Sequence, residues 1–304
     1  MDEMKQKNTL LAVSMILILL SSSAASVSGS ADFSLASSTN QWNVSMYRAV
    51  LVGIGSSQGL PYSVQQLKGF STTLLHGGLF KNDNLQMLFD GQATAAAIYE
   101  KLQWLADTAD GNDVSLFYFV GHGSRHYDNA FLHASDTLIA DEDLALSMEN
   151  ISGSLVVIID TCYSGGFIDD LEAVNRTILT ACADDEPSYQ VHDLQSGMFG
   201  FFFNLSLAWF SKNIEGSFLI ARFLTIQYGS KISQQYDEDY MVYPQRSDND
   251  KGLTFLLLKH AYARQLLGLL QQMIDTDGFN QFWRMKQRAD RGDIFAVGEG
   301  GYER

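Results

Sequence analysis

Apolar residues are arranged along the chain as short, nearly continuous runs that alternate with stretches of helical spacing. Five runs have continuously apolar centres, such as LFYFV and LVVIID, which are typical of strands covered on both faces. A later apolar run is a further, isolated strand candidate. The five predicted strands are residues 48–55, 84–90, 113–120, 154–161 and 177–183, and the later candidate is 253–258.

Helical spacing occurs between several of these runs and again after the fifth. The predicted helices are residues 63–80, 94–107, 141–149, 198–210 and 217–236. Alternation of strands and helices is typical of βαβ units, whose right-handed crossovers produce a mostly parallel sheet. The pattern therefore predicts an α/β fold.

Reactive groups in parallel sheets gather at the carboxyl ends of the strands. Two of the five segments that follow a predicted strand carry a residue suited to covalent catalysis: His122 stands between two glycines, and Cys162 is followed by YSGG. If the two strands are neighbours, the imidazole can take the thiol proton and later protonate a leaving amine. The backbone N–H groups of Gly123 and Cys162 could then form an oxyanion hole.

The same two segments resemble the histidine and cysteine motifs of the caspase and metacaspase family, to which legumain-like and clostripain-like peptidases are related. The matching runs are FYFVGHGS and IDTCYSGG, and His122 and Cys162 are 40 residues apart, near the roughly 50 of caspases. The resemblance implies a caspase-like three-layer sandwich, with a mostly parallel central sheet of about six strands flanked by helices. It also implies endopeptidase chemistry with a Cys–His dyad.

Asp160 precedes the nucleophile by two residues and shares its face of the strand end. The resemblance implies that this aspartate faces the S1 pocket, as in metacaspases, and selects Arg or Lys. The run TACADDEPS resembles the family's pocket-lining stretch, which makes Ala183, Asp184 and Ser188 further substrate-binding candidates. The second S1 acid of metacaspases has no counterpart in QLKGFSTT, residues 66–73. The acidic residues of this region, among them Asp160 and Asp184, could instead be part of an acidic surface or bind Ca²⁺.

Several residues near the dyad have plainer interpretations. Cys182 lies in a predicted strand and is expected in the core, although a disulfide with Cys162 would be an alternative in an exported protein. His126 and His133 could be surface or substrate-lining residues, and we favour the surface interpretation. Arg176 is the one basic residue of the predicted loop after the fourth strand, so self-cleavage there is a further hypothesis.

Metal-ligand spacing such as HExxH does not occur in the sequence. We therefore predict no metal site and no obligatory cofactor. Activation by Ca²⁺, which the resemblance to metacaspases implies, stays open. The net charge of −15 disfavours nucleic acid as a partner. The expected partner is a peptide or protein substrate, and the sequence carries no signal for an oligomeric state.

The N-terminus has the features of an export signal, because Lys5 and Lys7 precede an apolar stretch, 10–20, that is short for a membrane span. We expect a secreted or extracytoplasmic protein, with an uncleaved N-terminal anchor as the alternative. The predicted organisation is a signal peptide or anchor at 1–28, a Ser-rich linker at 29–45, the peptidase domain at 46–258, and a C-terminal helical extension with a mobile tail at 259–304.

The sequence therefore predicts an exported cysteine endopeptidase that hydrolyses peptide bonds through a Cys162 thioester, with a preference for Arg or Lys before the cleaved bond. Two alternatives stay open. A transamidase on the same fold would let an amine replace water, as in legumain-like relatives. A binding protein would retain the fold without catalysis.

Overall fold

A computed structural model describes residues 45–55, 59–250, 252 and 254–261. The predictions for the signal peptide, for all but the last residue of the Ser-rich linker and for most of the C-terminal extension lie outside these residues. None of the helices in the described ranges combines the length and the apolarity that crossing a membrane requires.

A six-stranded sheet forms the centre of the fold. Its strands are β1 Tyr47–Gly53, β2 Leu85–Phe89, β3 Val114–Val120, β7 Ser154–Asp160, β8 Arg176–Thr180 and β11 Gln245–Asp248. They lie in the order β11-β8-β7-β3-β1-β2. Five strands are parallel, and β11 pairs antiparallel with β8 at one edge. The predicted mostly parallel sheet of about six strands is confirmed.

The sixth strand was predicted at the wrong place. Of the apolar run at 253–258, the described residues 254–258 form no strand, although Phe255 makes a single bridge with Asn213. The edge position is taken instead by β11, whose sequence QRSD has no apolar pattern. An edge strand needs only one hydrogen-bonded neighbour and a solvated side, so polar residues are compatible with it.

Two smaller sheets accompany the central one. The strands β4 Gly123–His126, β5 Asn129–His133 and β6 Leu138–Ala140 form an antiparallel sheet directly after β3, and β9 Gln190–Val191 pairs with β10 Ser196–Gly197. The sequence pattern did not predict these strands, because they are short and mix polar with apolar residues.

In the part of the chain that the structure describes, six α-helices pack around the central sheet. They are α1 Ser63–Gly77, α2 Ala95–Thr108, α3 Asp141–Ser147, α4 Ile168–Leu171, α5 Met198–Trp209 and α6 Ile214–Tyr236. All twelve residues of α5 are buried. The side chain of Thr94 accepts a hydrogen bond from Ala97 N–H at the start of α2, and Asn213 caps α6 in the same way through Gly216 N–H.

Side chains alternate between the two faces of each strand, which creates two apolar layers. Phe117 and Phe119 of β3 pack on one side with residues of α2, α3 and the β4–β6 sheet. Tyr118 points to the other side, where its ring lies 5.0 Å from that of Phe70 on α1. The result is the predicted three-layer sandwich, with α1, α5 and α6 together on the side of Tyr118.

Candidate active site

His122 and Cys162 leave adjacent strands at the same level. The register of β3 and β7 ends with Val120 opposite Asp160, and Gly121 N–H continues the pairing to Asp160 O at 3.4 Å. Two further residues on each strand lead to His122 and Cys162. Adjacent strands are only about 4.8 Å apart, so the two residues meet at one edge of the sheet. Both line a single depression of about 160 Å³.

The β4–β5 hairpin supports the histidine. His133 N–H donates to His122 O at 3.1 Å, and the two imidazole rings lie 6.1 Å apart at 50°. His133 Nε2 is also 2.8 Å from Ser124 Oγ. Burial, followed by the neighbouring His122, lowers the pKa of His133, so His133 is mainly neutral at pH 7. His133 is half-buried, whereas His126 is exposed.

The Cys162 thiol is free and half-buried, and its sulfur makes hydrogen bonds with the main chain of Ser188. Ser188 N–H donates to Cys162 Sγ at 3.3 Å, and the thiol donates to Ser188 O at 3.5 Å. The residue after Cys162, Tyr163, has a left-handed backbone with φ 59°. This turn directs the chain away from the sheet edge and leaves the thiol in the depression.

Cys182 is a core residue and makes no disulfide with Cys162. Its sulfur lies 3.3 Å from Ser164 Oγ and is fully buried. Burial raises the pKa of the Cys182 thiol to about 12, so it stays protonated at physiological pH. The disulfide alternative is therefore wrong for this structure.

Gly123 packs directly against the main chain at Thr161 and Cys162. A Cβ atom on Gly123 would collide with Thr161 Oγ1 and lie 2.5 Å from Cys162 O. Only glycine permits this approach. The two predicted oxyanion-hole residues, Gly123 and Cys162, are thus brought together.

Asp160 is buried beneath the same depression and is held by neutral groups. Gln66 donates from Nε2 to Asp160 Oδ2 at 2.6 Å and to the Tyr118 hydroxyl oxygen at 2.8 Å, while Tyr118 O–H donates to Oδ2 at 3.4 Å. Burial raises the pKa of Asp160 to about 6, although hydrogen bonds from Gln66, Tyr118, Gly200 and Ser188 act in the opposite direction. At pH 7 the carboxyl is therefore mostly ionised.

The helices on this side leave room for that carboxylate. Gln66 Oε1 accepts hydrogen bonds from Ser196 Oγ at 3.0 Å and Gly197 N–H at 2.8 Å. A Cβ atom on Gly200 would collide with Gln66 Nε2 and lie 2.6 Å from Asp160 Oδ2. Glycine at position 200 is therefore needed for the Gln66–Asp160 contact.

The other predicted substrate-binding residues fall into two groups. Ser188 lines the depression together with Asp160. Ala183 and Asp184 lie outside its lining, where Ala183 N–H donates to Glu186 Oε2 at 3.1 Å and Asp184 forms an ion pair with Arg125 at 2.7 Å.

Residues that the sequence analysis did not select also line or support the depression. Tyr189 and Gln190 follow Ser188 along its wall, and Gln66 and Tyr118 hold Asp160 from below. A signal for Gln66 existed, because it is an amide on the face of α1 that also carries the buried residues Leu67, Phe70 and Leu74. Tyr118 carries the one aromatic hydroxyl of a strand whose other residues are apolar apart from Ser115.

Arg176 does not lie in a loop. It begins β8, is 7% exposed, and donates to Leu171 O at 2.7 Å and Met148 O at 3.1 Å. A protease needs an accessible, extended bond, so the self-cleavage hypothesis at Arg176 is contradicted in the folded state. Within the described ranges, no group of three or more His, Cys, Asp or Glu side chains is arranged as a metal site.

Comparisons with known proteins agree on the family. A model of the caspase domain matches residues 46–205. Metacaspase-4 of Arabidopsis thaliana is 26% identical over 176 residues, which are 51% of this chain and 41% of the relative. Metacaspase-1B of Aspergillus fumigatus is 28% identical over 148 residues, covering 40% of this chain and 36% of the relative. The matches thus span about two-fifths of these relatives' own length.

A structural comparison supports the same fold. Caspase-1 from Spodoptera frugiperda superposes with a TM-score of 0.51 at 13% sequence identity, over 72% of this chain and 91% of that one. At this identity the likeness concerns the fold alone.

Proposed function

Because the chain belongs to the caspase domain family, we propose that it is a cysteine endopeptidase in which Cys162 is the nucleophile and His122 is the general acid and base. The observation that carries the proposal is the register of β3 and β7, which brings the two residues to one depression. The substrate is a peptide or protein.

In the proposed first step, His122 takes the thiol proton while Cys162 Sγ bonds to the carbonyl carbon of the scissile peptide. The negative charge that develops on the carbonyl oxygen is stabilised by the N–H groups of Gly123 and Cys162. The C–N bond then breaks, and the leaving amine takes the proton from His122. Water, deprotonated by His122, hydrolyses the Cys162 thioester and regenerates the thiol.

We propose that Asp160 selects a basic residue at P1, the position before the cleaved bond. Its carboxylate lines the depression and is held by neutral groups, so a guanidinium or ammonium group would find an unneutralised anion there. We also propose export, which is supported by the N-terminal Lys5, Lys7 and the apolar stretch after them. Sequencing the N-terminus of the protein recovered from culture medium would test export.

The activity is tested with fluorogenic peptides that carry Arg, Lys, Asn or Asp at P1, with and without added Ca²⁺. The Arg and Lys peptides should be cleaved, and Cys162→Ala and His122→Ala should each lower kcat/KM by a factor of at least about 10³. Cys182→Ala is the matched control, since it removes the chain's other thiol. Retention of cleavage by Cys162→Ala would contradict the proposed nucleophile.

A further inference from the structure

A second groove, which we call the basic groove, lies at the other edge of the sheet from Cys162. Helix α1 follows the carboxyl end of β1 and runs back along the sheet, so that its last residue, Gly77, lies towards the amino ends of the strands. Shortly after it, the Phe80 ring lies 5.4 Å from that of Tyr47, the first residue of β1. The basic groove has a volume of about 740 Å³ and shares no described lining residue with the depression around Cys162. Its described lining includes these ionisable side chains, all of them basic: His76, Lys212, Lys259 and His260.

A basic lining contrasts with the rest of the chain, in which Asp and Glu outnumber Lys and Arg by 35 to 20. Other cations are paired with acids, as Arg48 is with Asp113. Neither Lys212 nor Lys259 forms an ion pair with a residue in the described ranges. Two ammonium groups on one groove without a carboxylate create a positive local potential, in which an external anion is stabilised.

Main-chain contacts hold the two lysines on the same groove. The Gly77 carbonyl accepts hydrogen bonds from Leu258 N–H at 2.9 Å and Lys259 N–H at 3.1 Å. The Lys212 carbonyl accepts from the two preceding N–H groups of that segment, at 2.9 and 3.1 Å. A Cβ atom on Gly77 would collide with Leu257, so the segment is seated directly on the end of α1. The positions of both lysines are thus fixed by the fold.

One effect opposes an anion at this place, because the C-terminal end of a helix carries about half a negative charge. The Gly77 carbonyl already accepts two N–H groups, which offsets part of that charge. The two full positive charges of Lys212 and Lys259 exceed what is left. The potential of the groove is therefore positive.

We propose that the basic groove binds a ligand with linked phosphate groups, either free polyphosphate or a nucleoside polyphosphate, through Lys212 and Lys259. Lysine binds phosphate as a point charge, and a chain of phosphates can reach both ammonium groups, whereas a monovalent anion offsets only one. The groove is within the range of roughly 300–1,000 Å³ that is typical of small-molecule sites, and Leu75 and Leu258 supply apolar wall for an organic group. This site is separate from the proposed peptidase chemistry and does not depend on it.

The test is calorimetric titration of the full chain with inorganic tripolyphosphate, in metal-free buffer at about 100 mM NaCl, where long-range charge effects are screened. Saturable binding with a Kd below about 1 mM is expected. A nucleoside triphosphate and the same nucleoside without phosphates distinguish the two sources of the phosphates. Tighter binding of the nucleoside triphosphate would identify an organic ester as the ligand, equal or weaker binding would identify free polyphosphate, and the nucleoside alone should not bind.

Variants locate the site. Leu258→Glu adds a carboxylate to the groove at a side chain that is 67% exposed, and it should weaken tripolyphosphate binding at least about ten-fold. Leu146→Glu is the matched control, because it adds the same charge at a 64% exposed leucine of α3, on the other side of the sheet. Lys212→Ala and Lys259→Ala should each weaken binding about five-fold, whereas Lys101→Ala on α2 should leave it unchanged.

Absence of saturable tripolyphosphate binding to the wild-type protein would overturn the inference. Equal weakening by Leu258→Glu and Leu146→Glu would also overturn it, because net charge and not the groove would then control binding. If the lysines only stabilise the end of α1, their substitution would lower the thermal midpoint while no titration saturates, which again contradicts the proposal. Thermal midpoints measured beside each titration show that the variants are folded.

Discussion

Asp160 is a buried anion whose hydrogen-bond partners within the described residues are all neutral, and its replacement by asparagine should stabilise the protein at neutral pH. Its contacts come from Gln66, Tyr118, Gly200 and Ser188, all of them neutral. Asparagine has nearly the same shape and still offers an oxygen to Gln66 Nε2. The substitution therefore removes a charge from the interior and leaves the packing unchanged.

The size of the effect follows from the pKa. Burial raises the pKa of Asp160 from its ordinary 3.8 to about 6. At about 1.36 kcal/mol per pH unit, this interval corresponds to about 3 kcal/mol. The folded protein binds the proton more tightly than the unfolded chain does. Stability is therefore highest where both states are protonated, declines as the pH rises from about 4 to about 6, and stays lower above that.

Asp160→Asn cannot ionise, so it should be more stable than the wild type by about 2–3 kcal/mol at pH 7, and the difference should vanish near pH 4. Urea denaturation at pH 4, 5, 6 and 7 measures this difference.

Asp113→Asn is a control with the opposite sign. Burial raises the pKa of Asp113, but main-chain hydrogen bonds and the Arg48 guanidinium outweigh this and lower it overall. That contribution to stability is present at neutral pH and is lost as the pH falls through the lowered value. An Asp160→Asn variant no more stable than the wild type at pH 7 would refute the reasoning.

Three further results are expected. For a peptide with Arg at P1, kcat/KM should fall about tenfold per pH unit below pH about 6, as Asp160 takes up a proton; a flat profile between pH 5 and 7 would show that Asp160 does not bind the cation. Gly200→Ala should lower the free energy of unfolding by about 1–3 kcal/mol and weaken selection for Arg at P1, because the new Cβ atom would displace Gln66 from Asp160. An unchanged urea midpoint and an unchanged P1 preference would contradict this. Ellman's reagent at pH 8 should react with the Cys162 thiol in the native protein and with the Cys182 thiol only after denaturation. Rapid reaction of both thiols in the native state would disprove this prediction.

The parallel strands could be predicted from the sequence because burial on both faces leaves no ambiguity in their apolar runs. The five predicted runs at 48–55, 84–90, 113–120, 154–161 and 177–183 each overlap a strand of the central sheet. The edge strand Gln245–Asp248 could not be predicted in this way. Its pairing depends on a neighbour far away in the sequence, and its polar residues resemble those of a loop.

The positions of His122 and Cys162 were likewise predictable, since each follows a buried strand in a glycine-flanked segment. The surroundings were not, because they come from long-range contacts. Gln66 reaches Asp160 across 94 residues, and Arg125 reaches Asp184 across 59. Nothing local distinguishes an arginine that anchors a distant segment from one that is simply solvated.

Consecutive side chains of a strand point to opposite layers of the sandwich, and the residues around the site come from both layers. The histidine is supported by the β4–β5 hairpin, whose buried residues belong to the layer of α2 and α3. Asp160 faces the other layer and takes its neighbours from α1 and the start of α5. With the proposed roles of Asp160, His122 and Cys162, substitutions confined to those two helices would change which side chain is accepted without altering the Cys–His pair, which makes this layer the natural target for libraries of altered selectivity.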